Sequence, residues 1–261
     1  MPDESVQLIY VDPPFNTGRK QERSLTKSTR TEAGGSVGFK GQRYETVRER
    51  LLSYDDEFGD YWDFLEPRLR EAWRVLHNTG TLYVHLDYRE AHYAKVLLDV
   101  LFGRECFLNE IIWAYDYGGK SKSRWPAKHD TILVYVKDPA RYFFNSDAVD
   151  REPYMAPGLV TPEKVARGKL PTDVWWHTIV SPTGKEKTGY PTQKPEGILR
   201  RVVQASSREG DTVLDFFAGS GTTGAVAAAL GRRFILVDQN PQSIAVIRQR
   251  LSSAGVDYDF E

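Results

Sequence analysis

The sequence predicts an α/β protein built on a mostly parallel sheet, and three observations carry that expectation. An apolar run, Val6-Gln7-Leu8-Ile9-Tyr10-Val11, stops abruptly at Asp12-Pro13-Pro14-Phe15. Strand and helix patterns alternate between 61 and 102. The segment 195–251 closes the chain with helix, strand, Gly-opened helix, strand and helix, and such βαβα units require parallel strands.

The opening run is rich in β-branched and aromatic residues and reads as a buried strand. Pro13 and Pro14 lack the amide donors that would extend a ladder, and Pro13 pushes Asp12 into extended backbone. Asp12 and Phe15 therefore project from a stiff carboxyl end of a strand, the edge at which open α/β sheets bind ligands. The plain alternative is a strand running into a proline turn. Residues 16–56 show little periodicity of either kind and read as a basic mobile loop. Between 16 and 50, nine Lys and Arg, Arg19 and Lys20 among them, stand against four Glu, a surplus suited to closing over a phosphate backbone.

Residues 61–76 place Leu65, Leu69, Ala72, Trp73 and Leu76 at helical spacing, with Asn78-Thr79-Gly80 as the stop. A strand at 81–86 and a helix at 88–102, ended by Gly103, follow, and 107–115 and 131–136 read as further strands. The connector between those two interleaves Tyr117 and Trp125 with Lys120, Lys122, Arg124 and Lys128, a composition that holds phosphates and unstacked bases. Residues 138–189, rich in Pro, Gly and charge with Trp175 and Trp176 as apolar anchors, read as an insertion outside the sheet. The remaining elements are a helix at 195–206, a strand at 212–217, a helix at 218–230, a strand at 233–238 and a helix at 243–251.

A length of 261 residues suits one large domain with an insertion. The net charge of -1 excludes binding of polyanions through bulk charge, so any nucleic-acid site must be a local patch. Cys106 is the sole cysteine, which excludes an internal disulfide or a Cys-based zinc site and fits a reducing cytoplasm. No metal is expected. No apolar run approaches the roughly 18 residues of a membrane span, and the acidic start is unlike a secretory signal, so a soluble cytoplasmic protein is expected.

Gly219-Ser220-Gly221-Thr222-Thr223-Gly224 follows a strand and opens a helix, and Asp238 ends the next strand 19 residues after Gly219. The glycines let backbone approach a ligand at the helix N-terminus, while an acid on the neighbouring strand can accept both ribose hydroxyls. This pattern points to a nucleoside-containing cofactor, either a dinucleotide or S-adenosylmethionine. Dinucleotide-binding domains commonly begin with this unit. Here it comes last, which suggests circular permutation.

Three motifs in this order, Asp12-Pro13-Pro14-Phe15, Thr192-Gln193-Lys194-Pro195 and Leu214-Asp215-Phe216-Phe217-Ala218-Gly219-Ser220-Gly221-Thr222-Thr223, resemble the amino-group DNA methyltransferases of the permuted β class. The likeness runs from Val6 to Leu251. It implies a Rossmann-like methyltransferase fold forming one domain over 1–261, with a loop-rich target-recognition region at about 114–190 and a cofactor-binding segment at 191–261. It further implies S-adenosylmethionine as cofactor and double-stranded DNA as partner, with a homodimer or a restriction subunit left open. By the same resemblance Asp12 and the Pro13 carbonyl accept hydrogen bonds from the target amine, in the motif completed by Pro14, and Phe15 stacks on the flipped base. Phe217, Gly219, Ser220, Gly221 and Thr222 form the cofactor turn, Asp238 holds the ribose, and Thr192, Gln193 and Lys194 close over the methionine part. An acid at position 12, where cytosine-N4 enzymes usually carry Ser, favours adenine-N6.

The chain also departs from the family pattern. Only Met1 to Ser5 precede the first strand, too little for the further strand and acidic motif that family members carry there. The expectation is a sheet one edge strand short, with weakened cofactor affinity or a start downstream of the true one. The rival readings are a cytosine-N4 or RNA methyltransferase, a non-catalytic nucleic-acid-binding remnant, and a nicotinamide-dependent oxidoreductase. The last leaves Asp12 to Phe15 and the basic aromatic loops without a role.

Overall fold

The computed structural model describes residues 1–14, 21–30, 36–37, 43–54 and 61–261, the strands between 21 and 54 by their backbone alone. Its main sheet has seven strands: β1 (Val6–Val11), β5 (Leu76–Leu86), β6 (Phe107–Ala114), β7 (His129–Val136), β8 (Val174–Trp176), β9 (Thr212–Asp215) and β10 (Arg233–Leu236). Their spatial order is β10-β9-β1-β5-β7-β6-β8. All pairs are parallel except the two that β7 makes with β5 and β6. The expected mostly parallel α/β sheet is therefore observed. Within it, the N-terminal strand lies between a strand from residue 76 onward and one from residue 212 onward.

Burial on both faces explains why β1 is central, its side chains alternating from Leu8 onward, past the register shift between Val6 and Leu8. Val6, Ile9 and Val11 pack into one core with Leu65 and Leu69 of helix α1 (Tyr61–Val75) and Leu98 of α2 (Ala91–Phe102). Leu8 and Tyr10 face the other side, against Leu199 and Val203 of α4 (Glu196–Ser206) and Val226 of α5 (Thr222–Ala229). Such a strand, buried on both faces, reads as a continuous apolar run. Helix α6 (Pro241–Ser253) adds a small third cluster through Ile247 and Leu251. The short α3 (Pro162–Arg167) buries no residue.

Every described strand of the main sheet except β7 points the same way, so the segments that follow β1, β5, β6, β8, β9 and β10 emerge at one edge of that sheet. This edge carries Asp12, the connector at 115–128, the glycine turn and Asp238.

Four local expectations are corrected. Asn78-Thr79-Gly80 does not stop a helix; α1 ends at Val75 and β5 begins at once, with a register shift opposite Val6 to Leu8. Gly80 is needed there for close approach, because a Cβ would lie 2.7 Å from Leu76 Cδ1 and 2.9 Å from the Gln7 carbonyl. Gln7 and Thr79 bond each other across this bulge. Second, the segment at 138–189 contributes to the sheet, since β8 pairs parallel with β6; three residues are too few to show a period. Third, Trp175 is buried but Trp176 is 74% exposed, so only the first is an anchor. Fourth, the presumed loop at 16–56 contains β2 (Gln21–Arg30), β3 (Ser36–Val37) and β4 (Arg43–Tyr54), paired antiparallel in a separate sheet. Polar residues at both alternating sets of positions hide the period of two that a half-buried strand would show.

No described helix is long and apolar enough to cross a membrane. Ile9 is fully buried in the central strand. Ile9→Ala is expected to destabilise the fold by about 2–5 kcal/mol and Ile9→Val by about 0.5–1.5 kcal/mol in chemical denaturation, with binding at the sheet edge retained in the latter.

Candidate active site

A cleft of about 770 Å³ opens at the carboxyl edge of β1 and β9. It gathers residues from all three sequence motifs: Asp12, Pro13 and Pro14; Thr192, Gln193 and Lys194; and Phe217, Gly219, Ser220, Thr222 and Asp238. Gly221 lies behind the lining. Phe15, Arg19 and Lys20 lie outside the described residues.

Asp12 leaves β1 where the prolines end the ladder. Its Oδ2 is paired with the Lys194 ammonium, and both side chains are mostly buried, at 17% and 9% exposure. Its Oδ1 is buried and has no hydrogen-bond partner among the described residues. An orphaned buried carboxylate oxygen carries a desolvation cost of about 1–3 kcal/mol or more, which a donor reaching it would relieve. Beneath it the Tyr10 hydroxyl meets His85 Nδ1 at 2.6 Å, and His85 Nε2 meets Asp130 at 3.2 Å. Burial, then the charge of Asp12, pushes the Tyr10 phenol upward, so it stays neutral.

The other wall is the turn between β9 and α5. Asp215, fully buried, accepts from the Phe217 amide at 3.0 Å and from the Thr223 hydroxyl at 2.6 Å, which fixes the exit from the strand. Gly219 and Gly221 adopt positive φ angles of 50° and 71°. A Cβ on Gly221 would meet Ile247 at 2.9 Å, and one on Gly224 would meet Leu236 at 2.5 Å. These glycines permit the turn and bring helix against strand. The Gly219 amide donates to Asp238 Oδ2 at 2.8 Å, and the Asn240 amide to Asp238 Oδ1 at 2.8 Å. Each oxygen retains acceptor capacity for a ligand hydroxyl.

The Thr192 to Lys194 segment joins the two walls. Thr192 is exposed with φ at 56°, a strained value for a β-branched residue. The Gln193 side chain accepts from Thr188 and donates to the Glu186 carbonyl, so it braces its own loop. Thr222 donates its hydroxyl to the Lys194 carbonyl at 3.1 Å.

Several lining or bracing residues carried no sequence signal. Phe64 and Arg68 of α1 line the cleft, Phe64 packing on Phe217 at 5.9 Å between ring centroids; the periodicity of α1 revealed only its core face. Ser243 donates to the Gly219 carbonyl at 2.6 Å, and Arg250 reaches the Ser220 carbonyl, the Thr222 hydroxyl and Glu196. Both lie on α6, where a polar residue looks like solvated surface. Tyr190, adjacent to the second motif, was within reach of sequence reasoning. It lines the cleft, and burial raises its phenol to about 12.

Lys120, Lys122 and Arg124 are exposed in the connector between β6 and β7, and Lys128 is half-buried with its ammonium on the Gly118 carbonyl. None lines the cleft. They share its edge of the sheet, with Trp125 95% exposed among them.

The chemistry of the donor set fits a cationic nucleoside cofactor: Gly219 on the cleft wall without a side chain, an acid just past the adjacent strand β10, and three carboxylates on the lining, Asp12, Asp215 and Asp238. Burial lifts Asp215 to about 7 against its hydrogen bonds from Thr223 and Phe217, with the charges of Asp12 and Asp238 adding to the rise. The unfolded chain releases this proton near pH 4, whereas the folded protein keeps it to about pH 7, so folding binds a proton in that window. Stability attributable to Asp215 is full at low pH and declines as pH rises from about 4 to about 7, by up to about 4 kcal/mol. Asp215→Asn should remove that part of the slope in denaturation measured across the window.

A family model described as a DNA methylase of the N6/N4 methyltransferase type matches residues 6–249. The chain is 32% identical over 262 residues to DNA adenine methyltransferase YhdJ of Escherichia coli (strain K12), spanning 97% of this chain and 79% of that protein. Among solved structures, M1.HpyAVI in its SAM complex aligns with a TM-score of 0.57 at 20% identity, covering 94% of this chain and 89% of that one. PvuII DNA methyltransferase, cytosine-N4-specific, aligns with a TM-score of 0.63 at 15% identity, covering 100% and 83%. The two structural likenesses establish the methyltransferase fold, and the family match over nearly the whole sequence makes this chain a member of the N6/N4 DNA methylase family.

Proposed function

We propose that this protein transfers a methyl group from S-adenosylmethionine to the N6 amine of adenine in double-stranded DNA, as a methylase of permuted motif order. The observation that carries the reading is the buried Asp12 Oδ1, without a hydrogen-bond partner among the described residues, on a side chain that lines the same cleft as the glycine turn and Asp238. When bound, S-adenosylmethionine supplies an electrophilic methyl group on a sulfonium. The turn at Phe217, Gly219, Ser220, Gly221 and Thr222 would hold it, Asp238 would accept from its ribose, and the segment at Thr192 and Gln193, with the backbone of Lys194, would cover its methionine end.

An exocyclic amine conjugated to a purine ring is a weak nucleophile. Asp12 Oδ1 accepts a hydrogen bond from one of its N–H groups, and the Pro13 carbonyl from the other. These acceptors favour a tetrahedral nitrogen and stabilise the positive charge that grows on it in the transition state. Such a base must leave the duplex, and Phe15, three residues after the acid in sequence, would stack on it. Lys120, Lys122, Arg124 and Lys128, with Arg19 and Lys20, would neutralise phosphates around the extruded base. The carboxylate at position 12 favours adenine over cytosine, and the relative named as a DNA adenine methyltransferase supports that choice.

Incubation with methyl-labelled S-adenosylmethionine and duplex DNA, followed by digestion, should yield labelled N6-methyladenine. Asp12→Ala should cut turnover by about 10²–10³-fold while leaving cofactor affinity in place. Labelled N4-methylcytosine would overturn the base assignment, and no label at saturating cofactor would overturn the enzyme reading. Replacing Lys120, Lys122 and Arg124 by Ala should lower the slope of log affinity against log salt by about 0.9 for each phosphate that is no longer neutralised.

A further inference from the structure

We propose that Lys194 is a positioning residue for Asp12 rather than a cofactor ligand, and that it couples the acid to the glycine turn. The inference rests on the methyl-transfer reading above. The sequence placed Lys194 in a segment that closes over the cofactor, but its ammonium is paired with Asp12 Oδ2. That contact leaves Oδ1 as the oxygen without a partner among the described residues. A carboxylate free to rotate about its last torsion would present either oxygen. One whose Oδ2 is held by an ammonium presents a single, fixed acceptor, and preorganisation of this kind is what an electrostatic catalyst needs.

Charge and covalent placement agree with this role. Asp12, Asp215 and Asp238 share the cleft, and Asp130 lies near enough to Lys194 for the ammonium to help offset the cost of its burial, after the hydrogen bond from His85. A buried ion pair survives only with good geometry and further hydrogen bonds. The backbone supplies that geometry. The Lys194 carbonyl accepts from Thr222, whose hydroxyl oxygen also accepts from Arg250, and Arg250 holds Glu196 two residues beyond Lys194. The side chain that fixes the acid therefore starts from a backbone pinned to the turn that cradles the cofactor. Displacement of that turn would move the ammonium and, through it, Asp12.

The test is a double-mutant cycle in single-turnover methyl transfer, with cofactor affinity measured separately by titration with S-adenosylhomocysteine. Lys194→Met should lower the transfer rate by about 100-fold and leave the titrated affinity within about threefold of the wild type. Lys194→Arg, which keeps a cation in reach, should recover part of the rate. In an Asp12→Asn background, Lys194→Met should cost less than about threefold further, because its effect passes through the acid. Thermal unfolding of each variant separates these effects from loss of the fold, and Lys194→Gln substitutes should Lys194→Met not fold. An additive cycle overturns the proposal, as does a loss of cofactor affinity that matches the loss of rate. Absence of transfer by the wild type would sink the function itself, a result distinct from either.

Discussion

The pairing of β1 between β9 and β5 is the constraint on which the rest of the structure depends. Six residues buried on both faces place the N-terminal strand at the centre of the sheet, beside a strand formed some two hundred residues later. Because the three strands are parallel, their carboxyl ends coincide, and Asp12 faces the glycine turn across one cleft. Neither motif has a complete site alone. A shift of β1 by one residue would turn every side chain to the opposite face, matching neither core to its proper helices and carrying Asp12 away from Lys194.

The cleft is held mainly by polar contacts from elements that do not line its chemistry. Helix α6 grips the turn through Ser243 and Arg250, and Arg250 continues to Glu196 at the start of α4. Asp215 fixes the strand exit and is itself kept partly protonated near neutrality by burial and by the acids around it. An acidic lining offset by few cations suits a ligand that brings positive charge. It also explains why the ion pair between Asp12 and Lys194 is buried rather than left at the surface.

Much of this was legible in the sequence because it was periodic or punctuated. The apolar run at β1, interrupted only by Gln7, the glycines of the turn and the acid at 238 each carry a local signal, and the order of the three motifs along the chain supplied the family resemblance. What remained hidden was relational. Lys194 sat in a recognisable motif, yet its partner lies 182 residues away, and nothing local announces such a contact. Gly80 looked like a helix stop because Asn-Thr-Gly usually is one; only the neighbouring Gln7 backbone makes it a close-approach site. Strand β8 was too short to show alternation, and β2 to β4 are polar at both sets of alternating positions. Phe64 and Arg68 flank the apolar stripe of α1, Phe64 packing partly on the core, so the helical period alone did not mark them as cleft residues.

The central claim is that one cleft presents a fixed acceptor, Asp12 Oδ1, to a target amine while the glycine turn holds the methyl donor. A structure of the protein with S-adenosylhomocysteine and duplex DNA measures this directly. The account predicts an extruded adenine with its exocyclic nitrogen within hydrogen-bond distance of Asp12 Oδ1, and Lys194 still on Oδ2. An amine bound elsewhere, or a Lys194 side chain turned onto the cofactor with Asp12 left to rotate, would contradict it.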